Sequence, residues 1–349
     1  MRILFISTCI LVFISCKKEN ASKNVANTQT DVLRDLSLNV YLSTYENLSL
    51  RTNKFHQDVQ TFINNPSQEN LELCRNDWKS AREAWEVSEA WLFGPVSTKS
   101  IDPRIDTWPV DFIRLDSVLA SSSVFDNTYI NNLEESLKGF HPIEYILFGF
   151  NGNKSANQIT SRQKEYLLAL TENLRQLTID LHNSWAVQGD DYVTEILNAG
   201  SSNIFPSKLS AYQEIASAMI GICDEVANGK IGDVFTSLDS MGEESPFANN
   251  SMVDFKNNIL GAEAVYLGNI YGNDSKGLED FVRMYNLSLD GKIKQKINLS
   301  KAALNQITLP FGRAIFEQPI QVQQAIDAIN SLKTELEEGL LPLIQLHVK

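Results

Sequence analysis

Apolar residues recur at helical spacing in nearly every long segment of this 349-residue chain. In the segment Ser67–Gly94 they stand three, four or seven positions apart, which places them on one face of a helix. Alternating runs of the kind that form strands are nearly absent. The spacing therefore predicts an all-α protein built from helix bundles. Further long helices are predicted over Asp31–Asn64, Thr160–Val187, Ser207–Asn228, Ser251–Ile270, Leu289–Thr308 and Pro319–Leu346.

Glycine and proline mark the expected ends of these helices. Gly229 and Gly272 stand where C-terminal glycines commonly end a helix. Pro342 is expected to kink or end the last helix. One irregular loop, Phe93–Asp111, holds three prolines together with Trp108 and several aspartates. Long irregular loops inside helical proteins are more often functional than idle, so this loop is a candidate part of a site.

A weak internal repeat, called the echo below, suggests how the helices are organised. A long helix ending in E-A-x-x-x-G, a short helix opened by a glycine and another long helix occur in this order twice. The first copy contains Gly94 and Gly139, and the second contains Gly268 and Gly277. The echo predicts two related up-down bundles, over 31–200 and 201–349, with a site at their junction. Chance similarity between apolar helix ends is the alternative.

The N-terminus has the layout of a secretory signal, with one arginine followed by an apolar run from Ile3 to Ile14. This run is too short to span a bilayer as a helix. A small residue, Ser15, directly before Cys16 resembles a lipoprotein cleavage site. We therefore expect a lipoprotein signal peptide over 1–15, a lipid on Cys16 and a flexible polar tether over 16–30. A plain signal peptide cut near the same place is the alternative.

Composition narrows the possible partners. The chain has 30 basic and 43 acidic residues, a formal net charge of −13. This acidity argues against nucleic acid and against an anionic membrane surface as partners, and it is compatible with cation binding. Cys74 and Cys223 lie on apolar helical faces, where they are expected to be small buried hydrophobes, although one disulfide between them is possible.

A G-x-H-x-x-E pattern is formed by Gly139, His141 and Glu144. It has an ordinary structural interpretation, because Pro142 is suited to the first helical position and would make His141 the N-cap. Glu144 would then be the third helical residue, where a glutamate can reach back to the N-cap amide. The same geometry would also let both side chains point at one ligand at a helix entrance, where the helix dipole keeps Glu144 ionised.

A second set of charged residues lies on the helix that enters the irregular loop. Arg82, Trp85, Glu86 and Glu89 stand at offsets of zero, three, four and seven, which places them on one helical face. Charged residues in this arrangement often form an ion pair on a solvent-exposed helix face. This helix, however, is rich in tryptophan and should be well buried, and glutamates that are buried need a counter-charge or a metal.

These residues, taken together, resemble the imelysin-like family of bacterial envelope proteins. The resemblance implies an all-α fold of two related bundles with the G-x-H-x-x-E pattern near their junction. It also implies an envelope location, with the outer membrane favoured, and links to iron acquisition. The family name comes from a reported insulin-cleaving peptidase, so the resemblance also implies peptidase activity as a second possible function. The motifs that carry the resemblance are G-x-H-x-x-E, SEAWLFGP (Ser88–Pro95), IDPRIDTWPVD (Ile101–Asp111) and ESPFANNSMVDFKNNILGAEAVYLG (Glu244–Gly268).

The possible chemistry of a metal site is limited by the few histidines. A zinc peptidase needs about three protein ligands, an open position and a general base, and the helical H-E-x-x-H pattern is absent. A site would therefore combine one imidazole, that of His141, with the carboxylates of Glu144, Glu89 and Glu86. We expect the side chains of His141 and Glu89 to reach one bound atom. Such oxygen-rich ligation suits iron without excluding zinc. Supporting roles are predicted for Gly139, Arg82, Asp106, Trp108 and Asp111.

The function expected from these patterns is non-enzymatic. We expect a lipid-anchored envelope protein that binds iron or an iron-bearing ligand and works with iron-transport components. A metallopeptidase that uses the same His141 and Glu144 is the main alternative. An adhesion or scaffold protein with a vestigial site is a third possibility.

Overall fold

A computed structural model describes residues 27–349 and confirms the all-α architecture. The predicted signal peptide, Cys16 and most of the predicted tether lie outside the described residues. Residues 27–30, assigned to the tether, are instead helical. Gln29 is buried, and its carbonyl accepts a hydrogen bond from the Tyr212 hydroxyl at 3.0 Å. The folded body therefore includes at least four residues before Asp31.

The first half of the described chain contains three long helices and a run of short ones. The long helices cover the segments in which the apolar spacing predicted them. Short 3₁₀ turns at Glu135–Leu137 and Ala156–Gln158 lie between the later helices. The helices are α1 (residues 27–35, a π-helical segment Leu36–Leu42 and Ser43–Asn64), α2 (Gln68–Ser88, followed by a 3₁₀ turn Glu89–Trp91), α3 (Pro95–Thr98), α4 (Ile101–Asp106), α5 (Phe112–Ala120), α6 (Asn127–Asn131), α7 (Phe140–Phe148) and α8 (Ser161–Trp185).

The second half follows a similar plan, with one small antiparallel hairpin of Asn269–Ile270 and Asn273–Asp274. A 3₁₀ turn at Ser240–Gly242 precedes its central helix. The helices are α9 (Tyr192–Leu197), α10 (Lys208–Asp224, a π-helical segment Glu225–Asp233 and Val234–Ser237), α11 (Ser251–Leu267), α12 (Leu278–Tyr285), α13 (Leu287–Gln306), α14 (Phe311–Glu317) and α15 (Pro319–Glu335, a π-helical segment Leu336–Leu340 and Leu341–His347).

The helices pack in two groups that meet along α2 and α11. In the first group α1 packs on α2 and α8, and in the second α10 and α13 pack on α11 and α15. The two central helices approach closely at Gly261, where an added Cβ would lie 2.2 Å from the carbonyl oxygen of Val87. Both halves show the order long helix, short helix, long helix, as α2, α7, α8 and as α11, α12, α13. A duplication of one ancestral bundle stays a prediction.

Two predicted helix ends, at Gly229 and Gly272, differ from the structure. Gly229 lies inside the π-helical segment of α10, and Gly268, not Gly272, ends α11 with a positive φ of 70°. Gly272 lies instead in the turn of the hairpin. Pro342, expected to kink or end the last helix, does not end α15, which runs on to His347 after the π-helical segment Leu336–Leu340; a kink stays a prediction.

The largest fully buried side chains of the core are mostly aromatic. Trp78, Trp85, Trp91 and Trp185 are fully buried. The indole of Trp78 donates a hydrogen bond to the carbonyl of Phe140 at 3.0 Å, which attaches the start of α7 to α2. Cys74 and Cys223, as predicted, are buried, and both are free thiols. Among residues 27–349, no helix is long and apolar enough to cross a bilayer.

Candidate metal site

A buried cluster of charged residues forms around Arg82 on α2. Arg82 is fully buried, and its guanidinium contacts the carboxylates of Asp106, Glu86 and Glu244, the last at 2.9 Å. Trp85, one turn along the same helix, donates from Nε1 to Asp106 Oδ2 at 2.6 Å. The helical spacing seen in the sequence thus delivers these side chains to one place, and they are buried instead of solvated.

His141 reaches this cluster because α7 starts in contact with α4. Gly139 has a φ of 80°, and a Cβ at this position would lie 2.0 Å from the carbonyl oxygen of Ile105. Only glycine tolerates both the backbone angle and the contact. The imidazole Nε2 of His141 then lies 3.0 Å from Asp106 Oδ1, and the ring of Trp108 packs 5.0 Å from that of His141.

The predicted capping role of this motif is wrong. The helix begins at Phe140 with Gly139 as its N-cap, so His141 is the second helical residue and Glu144 the fifth. Glu144 instead accepts a hydrogen bond at Oε1 from the amide of Ala248, at 2.7 Å, in the second half of the chain. Its Oε2 lies 3.6 Å from Nδ1 of His141. Glu144 therefore faces the imidazole from one side while Asp106 faces it from the other.

The second half of the chain completes the cluster with residues that were not predicted. The ammonium of Lys230 lies 2.6 Å from Glu89 Oε2 and 3.2 Å from Glu86 Oε2. The Asn258 amide donates to the same two oxygens at 2.7 and 2.8 Å. Glu244 contacts Arg82 through Oε1 and lies 3.5 Å from Lys230 through Oε2.

Two triads of this cluster have donor atoms close enough to hold a cation. Asp106, His141 and Glu244 form one, and Glu86, Glu89 and Asp106 form the other; in each, the donor atoms lie within 4.8 Å of one another. The triads share Asp106. Neither contains both His141 and Glu89, which were predicted to reach one atom.

Glu144 and Asp111 take positions outside both triads. Glu144 supports His141, as described above. Asp111 lies apart from the cluster in its contacts: it caps α5 by accepting from the amide of Arg114 at 3.0 Å, and its side chain is 38% exposed. The structure therefore brings together most of the predicted residues, with Asp106 at the centre instead of at the edge.

The charges at the centre of the cluster are strongly coupled. Burial alone would raise the pKa of Asp106, but Arg82 and His141 hold it well below its ordinary range. Burial would lower the pKa of His141, but the adjacent carboxylates of Asp106 and Glu144 raise it to about 9. At neutral pH, His141 is therefore an imidazolium, which must lose its proton before it can bind a metal.

The pKa values of other acidic groups in the cluster are shifted in different directions by their surroundings. Burial, and then the charge of Glu86, raise the pKa of Glu89 well above its ordinary value. Burial likewise raises the pKa of Asp254. For Glu86 burial acts in the same direction, but Arg82 and Lys230 outweigh it and lower the pKa. Arg82 and Lys230 thus act as internal counter-charges for Glu86.

Several buried polar atoms of the cluster have no hydrogen-bond partner among the described residues. They include Nε of Arg82, Oε2 of Glu144, Oδ1 of Asn258 and both ring nitrogens of His141, whose contacts with Asp106 and Glu144 lack hydrogen-bond geometry. Buried polar atoms in this state reduce stability unless a ligand satisfies them. Oxygen donors with a single imidazole are a ligand set that suits iron and other borderline or hard cations. The residues present therefore fit a bound metal ion.

Comparison with known proteins places the chain in a family. The family model described as Imelysin matches residues 41–338. The chain belongs to the imelysin family. It is also 28% identical over 312 residues to the iron-regulated protein A of Synechococcus elongatus, across 88% of this chain and 84% of that protein.

Solved structures share the fold of this imelysin-family protein. A protein described as an iron-regulated protein A precursor from Parabacteroides distasonis superposes with a TM-score of 0.83 at 24% identity, over 93% of this chain and 95% of that one. An imelysin-like protein from Psychrobacter arcticum gives a TM-score of 0.75 at 14% identity, over 93% and 98%. The predicted family and the predicted all-α fold are confirmed.

One sequence signal could have identified more of the cluster. Glu244, Asp254 and Asn258 all lie in the Glu244–Gly268 stretch that contributed to the family resemblance. They are acidic or amide residues on what proves to be a buried segment, and all three contact the cluster. Lys230 had no comparable signal.

Proposed function

We propose that this imelysin-family protein binds a metal cation, with iron as the preferred ion, and does so without catalysing a reaction. The observation that carries the proposal is the position of Asp106, a buried carboxylate shared by two triads of ligand atoms. His141 supplies the one imidazole, and Glu86, Glu89 and Glu244 supply carboxylates. Iron is preferred because the ligands are mostly oxygen and because a relative carries the name iron-regulated protein A.

The burial of the cluster supports binding of an ion over cleavage of a polypeptide. A peptidase metal must keep an open position that a polypeptide can approach. Here the side chains of Glu86 and His141 are fully buried, and those of Glu89 and Asp106 are each 4% exposed. A small ion can reach such a centre, whereas a substrate backbone cannot without large rearrangement. The metallopeptidase alternative is therefore the weaker proposal.

The proposed location is the bacterial envelope. The sequence favours a lipid on Cys16, a short tether and attachment to the outer membrane, and the name of a structural relative includes the word precursor. An envelope protein that holds iron reversibly would pass it to iron-transport components. These partners would have to take the ion from a site whose own ligands come from both halves of the chain.

Calorimetric titration of the purified chain tests the binding. We expect Fe²⁺, added without oxygen, to bind at one position, and Asp106→Asn and His141→Ala each to weaken it by more than about tenfold. Asp111→Asn is the matched control, since asparagine also caps helices and Asp111 lies outside both triads. Failure of Fe²⁺, ferric citrate, Mn²⁺ and Zn²⁺ to bind the native chain would overturn the proposal. Chelator-sensitive cleavage of unfolded protein would favour the peptidase instead.

A further inference from the structure

Lys230 contacts two members of the triad formed by Glu86, Glu89 and Asp106. Its Nζ lies 2.6 Å from Glu89 Oε2, 3.2 Å from Glu86 Oε2 and 3.5 Å from Glu244 Oε2. Three carboxylates thus surround one ammonium. A metal ion using Glu86 and Glu89 would need the oxygens that this ammonium already holds.

The backbone that presents Lys230 is unusual. Lys230 belongs to a nine-residue π-helical segment, Glu225–Asp233, in the middle of α10. Insertions of π-helix are uncommon and are frequent at functional sites, because they shift the direction of side chains relative to an α-helix. Here the segment carries a lysine that contacts acidic residues of α2, of the 3₁₀ turn after it and of the loop before α11.

Lys230 and Glu244 also lie on the solvent side of the cluster. Their side chains are 8% and 11% exposed, whereas those of Glu86, Glu89, Asp106 and His141 are between 0 and 4% exposed. An ion arriving from solvent would therefore meet this pair first. Behind it, Oδ1 of Asn258 is fully buried and has no hydrogen-bond partner among the described residues, although its amide nitrogen contacts both Glu86 and Glu89.

We propose that Lys230 is a tethered cation that fills the Glu86–Glu89 side of the site in the metal-free protein and is displaced when a metal ion binds. The inference rests on the proposed function, because it assumes that a metal enters this cluster. It adds a regulatory step: uptake exchanges one internal positive charge for the ion, and return of the ammonium favours release. Buried charge contacts of this kind are strong enough to compete with ion binding.

The first test measures the accessibility of the Lys230 amine. Brief acetylation with N-hydroxysuccinimidyl acetate, followed by peptide mass spectrometry, is compared with and without saturating Fe²⁺ or Zn²⁺. We expect the metal to increase acetylation of Lys230 severalfold. Lys99, whose side chain is 46% exposed and paired with Asp190, is the internal control and should not change. If metal binds and Lys230 stays protected, the displacement is overturned.

The second test compares metal affinity in two variants. Lys230→Met removes the competing charge and should raise Fe²⁺ affinity by more than about tenfold, whereas Lys99→Met should leave it unchanged. Equal affinity of Lys230→Met and wild type would overturn the inference while leaving the proposed function intact. Metal binding by Lys230→Met and not by wild type would support both the inference and the proposed function. No binding by either chain would overturn the proposed function itself. If Lys230→Met fails to fold, the acetylation experiment on the wild-type chain still decides the question.

Discussion

Nε2 of His141 lies 3.0 Å from Oδ1 of Asp106, although the two residues belong to different helices. Their proximity depends on the contact between Gly139 and the backbone of Ile105, which sets where α7 begins. Asp106 also contacts Arg82 and accepts from Trp85, so the carboxylate joins α2, α4 and α7. The geometry of the candidate site and the packing of the first half are therefore linked.

Gly139→Ala should disrupt this link. Gly139 has φ 80° and ψ −158°, a region that only glycine adopts readily and that costs other residues about 1–3 kcal/mol. The Cβ would also lie 2.0 Å from the Ile105 carbonyl oxygen. Gly272→Ala is a matched control, because Gly272 has a φ of 82° with nothing near its Cβ position. We expect chemical unfolding to show a larger loss of stability for Gly139→Ala than for Gly272→Ala, and only the former to weaken metal binding. Equal losses would mean that the Ile105 contact relaxes easily.

Glu144→Gln tests the support of His141. Glutamine can still accept the Ala248 amide hydrogen bond, so we expect only a small change in melting temperature. It removes the negative charge next to Nδ1 of His141, and loss of such a supporting carboxylate typically weakens metal affinity by about 10- to 100-fold. Titration with Fe²⁺ measures the effect. An unchanged affinity would show that Glu144 serves only to join the two halves of the chain.

Arg82→Met should be strongly destabilising in the metal-free protein. It leaves Asp106 and Glu86 buried without their guanidinium partner, and breaking a buried ion pair in this way typically costs about 3–5 kcal/mol. Arg114→Met is the surface control: Arg114 pairs with Glu134, both side chains are more than half exposed, and such pairs contribute about 0–1 kcal/mol. Urea unfolding compares the two. We also expect saturating metal to recover more stability in Arg82→Met than in wild type; an equal gain would argue against a cation in this cluster.

Cys16→Ala tests the proposed anchor. If Cys16 carries the lipid, the variant should move from the membrane fraction to the soluble envelope fraction. Its folded body should be unchanged, because the described helices begin well after residue 16. Cys9→Ala, inside the predicted signal, is the control and should stay with the membrane. A Cys16→Ala protein that still sediments with membranes after a high-salt wash would contradict the lipid assignment.

The sequence predicted the helices well because apolar spacing is a local property. The face of Arg82, Glu86 and Glu89 on α2 followed from the same periodicity, and the structure buries all three. The start of α7 was predicted incorrectly. Its N-cap is Gly139 because of a tertiary contact with Ile105, which no local rule for Pro142 could reveal.

The second-half residues of the cluster were missed for a related reason. Asn258 and Glu244 meet Glu86 and Arg82 only because α11 packs on α2, and long-range contact of this kind leaves no periodic trace in the sequence. The position of Lys230 was still harder to predict from the sequence. A π-helical segment has a different number of residues per turn, so a 3.6-residue periodicity carried along α10 assigns the wrong faces beyond Glu225.

Asp102, one helical turn before Asp106, should make the stability of the folded protein depend on pH. Burial, and then the charge of Asp106, raise the pKa of Asp102 from its ordinary 3.8 to about 7. Its other charged neighbours are Glu225, Lys230 and Glu244. The folded protein therefore holds this proton more tightly than the unfolded chain does. By linkage, this group makes the free energy of unfolding fall as the pH rises from 3.8 through 7.

Asp102→Asn should remove that contribution. We expect the variant to be more stable than wild type at pH 8 and to show a smaller loss of stability between pH 4 and 8, measured by urea unfolding of the metal-free protein. The pKa of His141, about 9, adds a separate loss between 6.5 and 9 that is common to both chains and cancels in the comparison. Asp116→Asn, at an exposed position on α5, is the control and should follow wild type. Parallel curves for Asp102→Asn and wild type would mean that the Asp102 carboxylate is solvated in the folded protein, and that the like charges around Asp106 do not extend to it.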